Sequence, residues 1–504
     1  MKRVYLDYAA TTPMDKEVEK AMRSYCGEIF GNPGSVHSFG QEASRAVFTA
    51  HEQIARALGC KYNEVIFTGS ASEANNLALR GAFAAIFQNR GLVFPAKTSR
   101  LALGEFPAER DQANSPPRHS EKQHANAPLR LITSKIEHSS VLATCKDLEE
   151  NWGVEVVYLP VDRGGLVGLK KLKEELNERT VLVSIGMVNS EIGVVQPIAE
   201  IGRMIGEFRD GIVKKKSVIS TESASWRRSG EISSSSKKQI IEISPARNAL
   251  HSEAGGRQAR DDGVMYPLFH TDAVQAFQFL KCDVEELGVD LMTLSAHKIY
   301  GPKGVGALFA RNPKKILNPI ITGGGQEWGL RAGTENVAGV VGFGKAVELA
   351  EAARTEEVKR IGGLRDYFWQ ELKKIVPDIE VNGWFNEKGA RMRSLDKLEM
   401  TNMRRVPNNL NIYFPGRPAQ DLIIELDLAG VAASTVSACS ARAAQPSHVI
   451  EALRQAKDSS RKLRMTSNTG GDDRPTSSIR FSLGKFTTQE EIDYVLEVLR
   501  NRFN

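Results

Sequence analysis

The sequence predicts an α/β protein built on an open, mainly parallel sheet. Two observations carry this. Short apolar runs rich in β-branched residues alternate with segments whose apolar residues recur near every 3.6 positions. The chain, 504 residues of which 41% are hydrophobic, is also long enough to bury a sizeable core in two or more domains. The strand-like runs are EVIFTG (64–69), RLITSK (130–135), VEVVYLPV (154–161), TVLVSIGMV (180–188) and PLFHTDA (267–273), and their nearly continuous apolar character suits strands covered on both faces. Helical spacing marks ASEANNLALRGAFAAIF (71–87), the stretch 141–152 and PIAEIGRMIGEF (197–208). A strand-then-helix repeat puts ligand sites at the carboxyl ends of the strands, where loops meet helix N-termini.

Four stretches break the pattern by being polar and rich in Ser, Lys, Arg, Pro or Gly: 90–128, 208–263, 386–405 and 456–476. They read as surface insertions, the second mostly as mobile loop. Of the net charge of +6, the stretch 208–263 supplies +4, from 11 Lys and Arg against 7 Asp and Glu. The remainder is nearly neutral, which argues against direct nucleic-acid binding. No apolar run is long enough to span a membrane, and the N-terminal MKRVYLDYAATTP meets an acid and turn formers before a signal-like stretch develops, so no membrane association and a cytoplasmic location are expected. The five cysteines (Cys26, Cys60, Cys145, Cys282 and Cys439) show no CxxC pair, and neither a disulfide framework nor a metal site is expected.

Several residues are placed for chemistry. In LSAHKIYGPKGVGALF (294–309), Lys298 lies between an apolar run and a glycine-rich return, a setting that would desolvate the amine and make it nucleophilic. GSASEANN follows a strand and opens a helix, so the N–H groups of Ala71 and Ser72 and the Ser72 hydroxyl suit an anion, although such a start also serves as an ordinary helix cap. Asp272, after PLFH, suits a helix cap for AVQAF. Cys439 lies in ASTVSACSARAAQPSHV, small and polar, which reads as a mobile loop; an arbitrary cysteine is more commonly a small buried hydrophobe. Arg480, in SIRFSLG, has the planar fork that grips a carboxylate through two parallel hydrogen bonds.

SAHKIYGPKG resembles the cofactor-lysine segment of the NifS/IscS-like cysteine desulfurases, class V aminotransferases within the fold-type I pyridoxal-phosphate enzymes. YLDYAATTP, GNPGSVHSFG (31–40), FTGSASEANN (67–76), EHSSVL (137–142), MVNSEIGVVQP (187–197), FHTDAVQA (269–276), RAGTEN (331–336), SACSA (437–441) and SIRFSLGKFT (478–487) resemble further family segments, in family order. The likeness spans nearly the whole chain outside the four insertions.

The resemblance implies a large α/β domain over 15–351 and a small α+β domain from 1–14 and 352–504. It implies that Lys298 carries pyridoxal 5'-phosphate, that Asp272 pairs with the pyridine nitrogen, and that Ala71, Ser72, Ser295 and His297 hold the phosphate. Ser72 stands where the family usually has Thr, and keeps the hydroxyl. Gln275 and Asn189 match ligands of the phenolic edge, and His138 matches the histidine that stacks on the ring and moves protons. Thr334 matches a residue that reaches the phosphate of a neighbouring subunit, which implies a homodimer. Arg480, with Asn189, would bind the substrate. L-cysteine would become L-alanine while Cys439 keeps the sulfur as a persulfide for a sulfur-acceptor protein, an iron–sulfur scaffold or a tRNA-thiolation carrier. The family's usual GSAC reads VSAC here, and Val436 in place of Gly restricts the backbone. Two other readings of the chain are a selenocysteine lyase or aminotransferase that dispenses with Cys439, and a catalytically silenced sulfur-trafficking protein.

Overall fold

The computed structural model describes residues 2–89, 127–226, 264–385, 403–435, 446–459 and 473–503. Its strands are β1 (Val4–Tyr5), β2 (Val65–Thr68), β3 (Arg130–Ser134), β4 (Glu155–Leu159), β5 (Thr180–Ser184), β6 (Leu268–Asp272), β7 (Leu291–Ser295), β8 (Gly306–Ala310), β9 (Glu380–Val381), β10 (Asn409–Tyr413), β11 (Val431–Ala432) and β12 (Ser478–Ser482). Seven of them make the central sheet, in the order β2-β8-β7-β6-β5-β3-β4. Pairings from β7 across to β4 are parallel, while β8 runs antiparallel to both its neighbours. The reason is chain length. Only ten residues separate the end of β7 from the start of β8, and a parallel return needs a crossover of about a dozen or more. All five strand-like runs read from the sequence are strands of this sheet.

Residues one apart on a strand feed opposite faces: Val65 and Phe67 join the core on one side of the sheet and Ile66 the core on the other, and Phe309 and Leu308 divide the same way. Between β4 and β5 the chain crosses back over β3, so the connections reverse direction at the β3/β5 pair. That reversal opens a crevice at the carboxyl ends of the strands.

The C-terminal part adds an antiparallel sheet, β12-β10-β9, and β11 pairs in parallel with β1 from the far end of the chain. The helix Val337–Ile375, 39 residues long, packs against the helices Ser38–Leu58, Lys16–Arg23 and Gln489–Phe503. Small residues permit this approach: a Cβ on Gly344 would lie 3.2 Å from the Cβ of Ala50, and one on Gly342 would lie 2.5 Å from the Met22 sulfur. The proposed division at 351/352 falls inside this helix, which therefore serves both bodies.

Each of the four expected insertions overlaps the described residues at one or both ends. The helix beginning at Ile198 continues to Trp226, well into the stretch 208–263. Residues 403–405 are built into the fold: Arg404 O accepts from Val195 N at 3.0 Å, and the buried Arg405 guanidinium donates to the carbonyls of Asn382 at 2.9 Å and Asn409 at 3.0 Å. Charge suggested a surface there, but a guanidinium with backbone acceptors on every side can be buried. The rest of the insertions, residues 90–126, 227–263, 386–402 and 460–472, lie outside the described residues. No described helix is long and apolar enough to cross a membrane.

Candidate active site

An open cavity of about 200 Å³ sits in the crevice, lined by Ala71, Ser72, His138, Asn189, Asp272, Gln275, His297, Lys298 and Arg480 among others. Nine of the residues singled out from the sequence thus converge from six separate segments. Two others do not line it. Ser295 is buried at the end of β7, and Thr334 is exposed between the 3-10 turn Glu327–Gly329 and the long helix. Cys439 and Val436 lie outside the described residues.

Lys298 stands in a short turn after β7, and its Nζ donates to Ala9 O at 2.6 Å and Ala10 O at 2.7 Å. The N-terminal segment braces this turn, since Thr12 N donates to His297 O at 3.0 Å and Thr12 Oγ1 accepts from Tyr300 N at 2.8 Å. Gln275 Nε2 shares Ala9 O at 2.9 Å. The His297 ring meets Thr11 Oγ1 at 3.1 Å, and burial, reinforced by the charges of Lys298 and Lys303, lowers its pKa to about 4. The ring is therefore neutral at neutral pH and keeps one N–H to donate.

The phosphate-sized end of the cavity is the start of the helix Ala71–Asn76. Ser70 caps it, accepting from Glu73 N at 3.2 Å, which leaves the Ala71 and Ser72 N–H groups without intrahelical acceptors. Gly306 lets β8 pass beneath: a Cβ there would come within 2.6 Å of the Ser70 carbonyl carbon. Glu73 fixes the preceding turn by accepting from Gly69 N at 2.8 Å and from Arg331 Nε at 2.9 Å.

Asp272 ends β6, and Asn75 Nδ2 donates to its Oδ2 at 2.8 Å and to Ser140 Oγ at 2.8 Å. Ser140 Oγ lies 2.8 Å from His138 Nδ1, and Ser140 N donates to the same nitrogen at 3.2 Å. Since Nδ1 accepts from a backbone N–H, the proton of the neutral imidazole sits on Nε2. His138 is itself the cap of the helix Ser139–Trp152, which fixes its ring at the cavity wall. Asn75 and Ser140 went unread in the sequence, although Asn75 lies within ASEANN and Ser140 within EHSSVL.

Glu137 was also missed. It lines the cavity, fully buried, with Ser134 Oγ donating to Oε1 at 2.5 Å and Gly186 N to Oε2 at 2.9 Å. The available signal was a carboxyl at the end of an otherwise apolar strand run. Burial lifts its pKa to about 7 against those two hydrogen bonds, with Asp272 adding to the rise and His138 opposing it. Because the folded value exceeds the ordinary 4.5, this group's contribution to stability is full below about pH 4.5 and lost as pH rises through about 7. Glu137→Gln removes the dependence. The variant's thermal midpoint relative to wild type should therefore rise between about pH 5 and pH 8, by the equivalent of at most about 3 kcal/mol. Parallel profiles would contradict this assignment.

Asn189 spends most of its amide on the backbone: Nδ2 donates to Ile136 O at 2.7 Å, while Oδ1 accepts from Glu191 N and Ile192 N, both at 3.0 Å. One Nδ2 proton remains for a ligand. Arg480, only 1% exposed, donates to Ser190 O at 2.9 Å and to Asp7 Oδ1 at 2.7 Å, while its buried Nε has no partner among the described residues. A buried guanidinium N–H without an acceptor is costly. Among the described residues no cluster suited to a metal ion occurs. The buried thiol of Cys282 is pushed up to about 12 by burial, as is that of the part-buried Cys60.

The aminotransferase class-V family profile matches residues 4–96, 119–213 and 255–495. The cysteine desulfurase IscS of Dictyoglomus turgidum is 37% identical to this chain over 501 residues, covering 99% of this chain and 94% of that protein. Among solved structures, a NifS-like protein superposes with a TM-score of 0.68 at 28% identity, covering 99% of each chain. A structure of SspA in complex with cysteine superposes with a TM-score of 0.59 at 27% identity, over 97% of this chain and all of that one.

Proposed function

The chain belongs to the aminotransferase class-V family, and on that basis we propose that it is a pyridoxal-phosphate-dependent cysteine desulfurase, converting L-cysteine to L-alanine and passing the sulfur to an acceptor protein. The observation that carries this is the convergence of Lys298, Asp272, His138, Arg480 and the helix start at Ala71 on one cavity.

The residues present fit the cofactor. The Ala71 and Ser72 N–H groups, the Ser72 hydroxyl and the neutral His297 N–H suit its phosphate. Asp272 suits its ring nitrogen, Lys298 its aldehyde carbon, and Gln275 and Asn189 its phenolic edge. When bound, pyridoxal phosphate supplies a sink for the electron pair released at the amino acid's α-carbon. Lys298 would tether the cofactor through Nζ, and the same amine, once free, would take the α-proton. Asp272, steadied by Asn75, keeps its carboxylate aimed at the ring nitrogen. His138, oriented by Ser140, offers Nε2 for proton exchange with the substrate. Arg480 would meet the substrate carboxylate with guanidinium N–H groups that Ser190 and Asp7 leave over, since those two take only two of its five. The Cys439 thiolate attacks the substrate sulfur; the carbon–sulfur bond breaks, the thiol becomes a persulfide, and the carbon fragment is protonated to alanine.

The protein acts as a homodimer in this reading. Thr334, exposed and outside its own cavity, is available to a second copy, and Phe30 and Phe39 form an exposed apolar pair, their rings 5.6 Å apart. The acceptor is an iron–sulfur scaffold or a tRNA-thiolation carrier, and the location cytoplasmic.

The test is to add L-cysteine to cofactor-loaded protein and follow the visible cofactor band together with alanine. The expected result is a change in the band and alanine accumulating over many turnovers when a thiol acceptor is present. A cofactor band that responds to cysteine without alanine formation would favour the silenced sulfur-trafficking reading.

A further inference from the structure

Arg480 is carried by β12, where its backbone pairs with Asn411 of β10 on one side and with Ser434 on the other. Its side chain lines the cavity and is almost fully buried. Two groups hold the guanidinium: Ser190 O accepts from Nη1 at 2.9 Å and Asp7 Oδ1 from Nη2 at 2.7 Å. The Asp7 side chain is only 18% exposed, so this ion pair is shielded from water far better than a surface pair.

The fold does not need the Asp7 carboxylate to place residue 7. Leu6 N donates to Ala432 O at 2.8 Å, Ser482 N to Leu6 O at 2.8 Å and Tyr8 N to Ser482 O at 3.2 Å, so this backbone is stitched between β11 and β12. Asp7 O accepts from Ala10 N at 3.0 Å and from the Tyr5 hydroxyl at 3.0 Å, and the flanking Leu6 and Tyr8 are buried. Nor does a buried guanidinium in this protein require a carboxylate. Arg405 is held by neutral oxygens alone among the described residues: the carbonyls of Asn382, Trp384 and Asn409, and Asn409 Oδ1. What Asp7 adds at Arg480 is charge.

We propose that Asp7 is a positioning residue for Arg480 whose negative charge limits how tightly the site holds a carboxylate, so that the alanine product leaves readily. This rests on the function proposed above, which gives Arg480 the substrate carboxylate. Ser190 and Asp7 leave three of the five guanidinium N–H groups, and a carboxylate that accepts from them sits across one guanidinium from Asp7. Like charges separated by the width of a guanidinium in a part-buried site weaken binding by about ten- to a hundredfold. A neutral side chain at position 7 leaves the buried cation uncompensated, and an arriving carboxylate then gains the whole of its attraction.

The test uses full-length, cofactor-loaded wild type, Asp7→Asn, Asp7→Glu and Arg480→Gln, with propionate as a carboxylate probe that has no amine to react with the cofactor. Propionate affinity is read from the rise of the thermal midpoint with concentration. KM and kcat for L-cysteine and inhibition by L-alanine are measured on the same proteins. Asp7→Asn keeps an oxygen to accept from Arg480 Nη2 and removes the charge. It should bind propionate about ten- to a hundredfold more tightly, with KM for L-cysteine and the alanine inhibition constant lowered in parallel and kcat not raised. Asp7→Glu keeps the charge and should stay close to wild type. Propionate affinity unchanged or weakened in Asp7→Asn would show that the carboxylate only orients the arginine and would overturn the proposal. If the bare cation keeps Asp7→Asn from folding, propionate in the refolding buffer should restore it, and failure to do so would count against the proposal equally. Propionate that binds Arg480→Gln as well as wild type would instead overturn the underlying placement of the substrate carboxylate, and the proposal with it.

Discussion

Lys298→Ala protein should bind the cofactor without the lysine-dependent absorption band and should release alanine from L-cysteine at a rate lower by about a hundred- to ten-thousandfold, the range for removing a positioned general base. The size follows from the amine's two duties, covalent tether and proton acceptor, which no neighbour can take over. Its Nζ is held by the Ala9 and Ala10 carbonyls, which accept hydrogen bonds but cannot accept an α-proton at neutral pH. The neutral His297 ring next to it, its pKa lowered to about 4 by burial, is too weak a base to take the proton. Absorption spectra of wild type and variant, with alanine measured in the same samples, check this. A variant that keeps both the band and the rate would remove Lys298 from the chemistry.

Cys439→Ser separates the two halves of the reaction. The variant keeps every described residue lining the cavity, so its cofactor band and the response of that band to L-cysteine should match wild type. Alanine release should fall to background, because a serine hydroxyl is far weaker than a thiolate as a nucleophile toward sulfur. The other cysteines offer no substitute among the described residues: burial holds Cys282 and Cys60 protonated at neutral pH, Cys145 is raised further, and Cys26 is exposed beside Met22 O, away from the cavity lining. Unchanged turnover in this variant would favour the lyase reading.

Much of the fold was legible because its signals are local. β-branched runs located five of the seven strands of the central sheet, while β7 and β8, on either side of Lys298, were not read as strands. The residues that line the cavity were legible where a motif placed them just after a strand, as with Asp272 and Ala71. What stayed hidden depends on contacts distant in sequence or on the backbone. Ala9 O and Ala10 O meet Lys298 across nearly 290 residues, and a carbonyl oxygen leaves no mark on the identity of its residue. Asp7 meets Arg480 from the opposite end of the chain, and Ser447 meets Glu191 in the same way. Arg405 misled through its charge, which marks a surface unless buried carbonyls happen to surround it. Glu137 was hidden by its neighbour, since the histidine after it drew the reading of EHSSVL.

The most direct test of the central claim is to mix cofactor-loaded wild-type protein with one equivalent of L-cysteine, digest it without reductant, and weigh the peptide containing Cys439. The account predicts that this peptide gains the mass of one sulfur atom, in step with one alanine released per active site. Alanine released with no sulfur on Cys439 would contradict it.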